Sequence, residues 1–146
     1  MNFKLNVMKK ILVLISVVAM FVAMSSCEAN EETYNSFIGD WHLFRINANG
    51  EYRSPKPGGD TCFNLHFMKN NSLIGESVTT PFSAVYNIKK KNKMTWSGFT
   101  YLPAAEDSTD NIVFINNMLM VNSYEMQGDT LKFKYDKKTY LTFTRR

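Results

Sequence analysis

Few residues of this 146-residue chain could do chemistry, and their spacing is unhelpful to most reactions. The two histidines, His42 and His66, stand apart with no H-E-x-x-H motif or paired-histidine repeat, and the two cysteines, Cys27 and Cys62, form no C-x-x-C. A metal centre needs such convergent donors. No G-x-S-x-G elbow marks a serine nucleophile. The stretch "PKPGGD" (55–60) is glycine-rich but lacks the Lys-Ser/Thr pair and following helix of a phosphate-binding loop. Glu106, Asp107 and Asp110 form an acidic cluster that could hold Ca²⁺ weakly. Without EF-hand spacing, it reads as a hydrated loop. The expectation is a non-enzyme with no cofactor and no metal.

Cys27 is a different case. Lys9 and Lys10 precede an unbroken apolar run, "ILVLISVVAMFVA" (11–23), and the small residues Ser25 and Ser26 lead into Cys27. A positive start, an apolar run and small residues make a secretory signal, and the run is too short for a comfortable transmembrane helix. Met8-Lys9-Lys10 would itself make a normal start, so translation from Met1 or from Met8 fits equally. Met24-Ser25-Ser26-Cys27 resembles a bacterial lipobox, with Met24 where leucine is usual. That resemblance implies cleavage before Cys27 and lipidation of its thiol. Glu28 follows in place of the aspartate associated with inner-membrane retention, so the resemblance implies an outer-membrane lipoprotein, facing either periplasm or cell surface. The chain then divides into a signal (1–26), a lipidated acidic tether (27–36, "CEANEETYNS") and one domain (37–146).

Lys and Arg together number 17 against 13 Asp and Glu. Lys4, Lys9 and Lys10 lie in the signal, which leaves 14 against 13. No nucleic-acid argument survives a balance so close to neutral. Lys89, Lys90, Lys91 and Lys93 form the one dense basic cluster, expected as a solvated turn, with contact to anionic lipid as the lesser alternative. Once Cys27 is lipidated, Cys62 has no partner for an internal disulfide.

The elements that must position these residues read as strands. Eight runs alternate apolar and polar residues: 41–46, 61–68, 73–78, 82–89, 93–98, 118–126, 130–135 and 139–145. Phe63, Leu65 and Phe67 share one face of the second run. Leu131, Phe133 and Tyr135 share one face of the seventh, and Leu141 and Phe143 one face of the last. Alternation with one polar face marks an antiparallel sheet with one wet side. Eight such strands joined mostly by tight turns fit an all-β, eight-stranded up-and-down barrel, which removes exposed edges. A two-sheet sandwich is the structural alternative. The expected interior, and the candidate lining of any ligand site, is Phe63, Leu65, Phe67, Tyr86, Trp96, Phe133 and Tyr135. His66 has the opposite parity and should face outward.

In such a barrel the first and last strands are neighbours. Trp41 opens the first, and Arg145 near the end of the last has the inward parity of Leu141 and Phe143. An indole and a guanidinium should therefore meet at one pole, with Gly39 allowing a tight entry. Gly39-Asp40-Trp41 resembles the G-x-W signature that opens the lipocalin fold, and Arg145 resembles the basic residue packed over that tryptophan. The run "YEMQGDTLKFKYDKKTYLTFTRR" resembles the end of lipocalin-like bacterial lipoproteins. The likeness covers both ends of the domain and not its middle, and no middle lipocalin motif is present.

Two long connections, 47–60 and 99–117, fall at the pole opposite Trp41, which makes it the candidate mouth. "NIVFI" (111–115) within the second is expected as a short strand or a turn of helix. Two functions follow. One is a membrane-anchored barrel taking a small apolar or amphipathic molecule at its mouth. The other is a filled barrel serving as an interaction, inhibitor or accessory module for an envelope protein. Rings of Phe63, Phe67, Phe133 and Phe143 meeting at the centre would favour the second.

Overall fold

The computed structural model describes residues 29–56, 62–102 and 109–146. They form nine strands and two helices. In chain order these are α1 (Glu31–Phe37), β1 (Gly39–Ala48), β2 (Glu51–Arg53), β3 (Asn64–Phe67), β4 (Ser72–Glu76), β5 (Pro81–Lys89), β6 (Lys93–Tyr101), α2 (Thr109–Met120), β7 (Ser123–Gln127), β8 (Thr130–Lys134) and β9 (Tyr140–Arg145). Every pairing is antiparallel, and β9 returns to pair with β1, so eight strands close into a barrel. The short β2 continues the place of β3 along the far half of β1, pairing at Ile46–Ala48. The sandwich alternative is thereby excluded.

The alternation in the sequence does what it should. Along β5 the residues run exposed, buried, exposed, buried, with Phe82, Ala84, Tyr86 and Ile88 inside. Along β8, Leu131 and Phe133 are inside. In β1 the alternation breaks once, because the register with β9 slips between Leu43 and Arg45. This bulge puts Phe44 and Arg45 both outside and restores the inward direction at Ile46. A second slip lies between β5 and β6 at Ser83/Val85, where Gly98 takes a positive φ of 59°.

The near end, where β1 begins and β9 finishes, is closed by α1. Asn30 caps this helix, its side chain accepting from the Thr33 amide at 3.0 Å, and Glu31 and Glu32 favour its N-terminus. The expected acidic tether (27–36) thus holds a helix from residue 31 onward. Polar residues in this stretch pack because α1 buries Phe37 among the rings of Phe67, Tyr86 and Tyr124, and the Tyr34 hydroxyl accepts from the Ile88 amide at 2.9 Å.

The far end differs from expectation more. The connection after β6 carries a twelve-residue helix, and Met118–Met120, read as strand, belong to it. Phe114, Ile115 and Met118 recur at helical spacing and are buried together. Strand β7 starts later, at Ser123, and meets β6 only at Lys93↔Ser123. The C-terminal turn of α2 lies against this thin seam, where the Trp96 indole donates to the Met118 carbonyl at 2.5 Å.

Candidate functional site

Gly39, Trp41 and Arg145 come together at the near end. Trp41 pairs directly with Arg145, whose guanidinium carbon lies 4.3 Å from the indole centroid. The same guanidinium donates to the Ile38 and Ser36 carbonyls at 2.8 and 2.7 Å, and the indole donates to the Phe37 carbonyl at 2.8 Å. Together they satisfy carbonyls that the end of α1 leaves open. Gly39 sits at φ 120°, and a Cβ there would lie 3.3 Å from the Arg145 guanidinium.

The expected interior is mostly inside. Phe63, Leu65, Phe67, Tyr86 and Phe133 are buried. Trp96 is partly buried, on the seam beside α2. Tyr135 is a correction: it is 39% exposed, because β8 stops at Lys134 and Tyr135 begins the turn to β9. Its amide bonds the Thr139 carbonyl across that turn, so strand parity no longer governs its direction. Cys27, Glu106 and Asp107 lie outside the described residues.

A run of ring contacts crosses the interior. From Phe37 at the near end it passes to Phe67 (5.5 Å between centroids), Phe133 (6.1 Å), Phe143 (5.4 Å) and Phe114 (6.3 Å) at the far end. Phe63 and Phe82 join Phe114 at 5.2 and 5.8 Å. These are ordinary packing distances for aromatic rings. Burial among them pushes the Tyr86 hydroxyl up to about 12, and the neighbouring Tyr34 adds to it.

Both long connections do meet at the far end, but as a closure. Asp110, in the first turn of α2, is buried; its carboxylate pairs with Arg53 of β2 and accepts the Lys56 amide at 2.7 Å. Asp110, expected in a hydrated loop, is thus a buried helical residue held in an ion pair. The next residue, Asn111, accepts the Val78 amide and donates to Thr80, which fastens α2 to the β4–β5 turn. Sequence reasoning passed over Arg53 and Asn111. The helical spacing of Phe114, Ile115 and Met118 was the available signal for α2, whereas nothing local links Arg53 to Asp110.

Outside the barrel, a cleft of about 600 Å³ runs over β1, β3, β4 and β5, with Asp40, His66, Ile74, Glu76, Pro81 and Arg146 in its lining. His66 faces outward as its parity requires, its Nδ1 2.6 Å from Asp40 Oδ1 on the cross-strand neighbour. His42 Nδ1 lies 2.9 Å from Asn64 Oδ1 on the same face. On α2, Ile112, Leu119 and Met120 are exposed.

No protein-family model matches the chain, and no curated protein matches it. Among solved structures, the barrel is similar to a DUF4847 family protein from Bacteroides vulgatus, with TM-score 0.59 and 16% identity over 80% of this chain and 96% of that one. It is also similar to a protein from Burkholderia xenovorans, with TM-score 0.60 and 16% identity over 84% of this chain and 92% of that one. At this identity the likeness establishes the fold, a lipocalin-like barrel in the coarse sense, and nothing about ligands.

Proposed function

We propose that this chain is a lipid-anchored protein of the cell envelope, held at the outer membrane through Cys27, whose filled barrel acts through its exterior as an interaction or accessory module. The observation that carries the filled-barrel reading is the run of ring contacts from Phe37 to Phe114. Small eight-stranded barrels either fill with side chains or hold one small ligand, and rings in mutual contact occupy the space a ligand would need. The support for lipidation is the sequence alone: Cys27 stands where the apolar run and its small residues stop. The reading is non-catalytic. The outer cleft and the exposed apolar residues of α2 are the surfaces it offers to a partner.

A second reading keeps one observation in its favour. The far end is shut by a helix whose removal would uncover Phe63, Phe82 and Phe143, so a small apolar or amphipathic molecule could enter if α2 moved. Titration of the full chain with a fluorescent fatty acid separates the two. The filled barrel predicts no saturable binding and no change in melting temperature. Saturable one-to-one binding that raises the melting temperature would overturn it in favour of the second reading. Photocrosslinkers at Ile112 and Leu119, placed in cells, should give discrete protein adducts, and their absence would remove α2 as the contact surface.

A further inference from the structure

The fold brings the basic turn and the proposed lipid anchor to the same end. Strand β5 finishes and β6 begins at the near end, so Lys89, Lys90, Lys91 and Lys93 project there, and all four are exposed. Lys69, in the β3–β4 turn, stands exposed at the same end. Ala29 enters the structure beside them, its amide donating to the Ile88 carbonyl at 3.2 Å. Cys27 is two residues earlier, and two residues of chain reach at most ~7 Å. A lipid on Cys27 would thus hold this end of the barrel, and not the α2 end, against the bilayer.

The turn itself is tight. Lys91 and Asn92 both take positive φ, 59° and 55°. A long side chain is disfavoured there where glycine would be free, yet lysine occupies the tip. Among the described residues, none of these lysines forms an ion pair. Among the described residues the acids at this end are Glu31, Glu32, Asp40 and Asp129, of which Asp40 lies against His66 and Asp129 near Arg145, and Glu28 adds a further negative charge between Cys27 and Ala29 in the sequence. Glu31 and Glu32 offset the cluster only in part.

We propose that the near end of the barrel, through Lys69 and Lys89–Lys93, is a docking surface for anionic lipid headgroups, seating the barrel upright with α2 and the outer end of the cleft-bearing sheet directed away from the membrane. The proposal rests on acylation of Cys27 for its anchor, and on charge and placement for its surface. Exposed lysines are drawn to an anionic bilayer within a screening length, so the contact weakens as salt rises.

The test uses the full chain reconstituted into vesicles of phosphatidylcholine alone or mixed with phosphatidylglycerol, with amine acetylation read by peptide mass spectrometry. Lys137 and Lys138, in the β8–β9 turn at the opposite end, are the internal reference. On the anionic vesicles, acetylation of Lys89–Lys93 should fall by about threefold or more relative to that reference, and recover in about 0.5 M salt. Equal reactivity at the two ends, or protection of Lys137 and Lys138, would overturn the proposal. The double variant Lys90→Glu/Lys91→Glu should abolish protection of Lys89 and Lys93 with no change in melting temperature; retained protection would also overturn it. Intact mass reports acylation separately. Protected lysines on an unacylated chain keep the surface and remove the anchor, whereas unprotected lysines on an acylated chain remove the surface alone.

Discussion

At the near end of the barrel an indole, a guanidinium and a seven-residue helix interlock, joining the start of the barrel domain to its last strand. At the far end a single buried carboxylate ties two connections that are 57 residues apart in sequence. The near closure is built of stacking and of hydrogen bonds to the Ser36, Phe37 and Ile38 carbonyls, all of which opening would leave unpaired. The far closure rests on the buried face of α2, on the Asn111 bonds to the β4–β5 turn, and on an ion pair whose arginine is 39% exposed on its side chain. The contrast implies unequal stability, with the near end opening only in global unfolding and the far end able to open by itself.

The largest effect should come from Trp41→Ala. The indole is wholly buried, and its loss removes packing, a hydrogen bond and the surface on which Arg145 rests. Denaturant titration should show a loss of ~3–5 kcal/mol. A near-neutral result would mean that the near end is not a packed pole. Arg145→Ala comes next, at ~2–3 kcal/mol, since it abandons two carbonyls and the stack. Arg145→Lys should recover only part of this, because an ammonium cannot span both carbonyls while lying over the face of the indole.

Asp110→Asn tests the far end. The variant keeps the shape but loses the charge facing Arg53. Solvent around Arg53 limits the global cost to ~1–3 kcal/mol. The sharper readout is hydrogen exchange: amides of α2 should exchange faster while those of β1 and β9 hold their protection. Equal acceleration at both ends would show that the barrel opens as one unit and erase the distinction between them.

The same contrast explains what could be read in advance. Trp41 and Arg145 meet because they end strands that any closed up-and-down sheet makes neighbours, so parity and order were enough. Strand parity failed where the strand did, at Tyr135, one residue past β8. Met118-Leu119-Met120 reads equally as strand or helix, and only its packing with Phe114 decides for helix. Asn49-Gly50 carried a hairpin signal that went unused: both take positive φ and return the chain as β2, which places Arg53 opposite Asp110. The Arg53–Asp110 pair itself depends on tertiary placement and has no local signature. Asn30 could have been recognised as a cap, but a short polar helix with one buried phenylalanine gains its stability from the barrel beneath it and not from its own residues.

The smallest effect separates the ends by pH. Burial raises the hydroxyls of Tyr86 and Tyr124, which stand beneath α1 at the near end, and Tyr34 on α1 adds to both. The fold favours the neutral forms of Tyr86 and Tyr124. The contribution of Tyr86 is therefore complete below its ordinary value near 10 and is lost as pH rises toward about 12. Tyr52 is also raised, by its hydrogen bond to Tyr140, but it lies outside the barrel, where ionisation is met by water. Alkali should consequently loosen the near end first. Hydrogen exchange corrected for its intrinsic rate, followed from pH 9 to 11, should show protection falling at β5 and α1 before α2, and Tyr86→Phe should remove most of that pH dependence. Loss beginning at α2 would place the alkaline weakness at the wrong end and contradict the assignment of these hydroxyls to the near-end core.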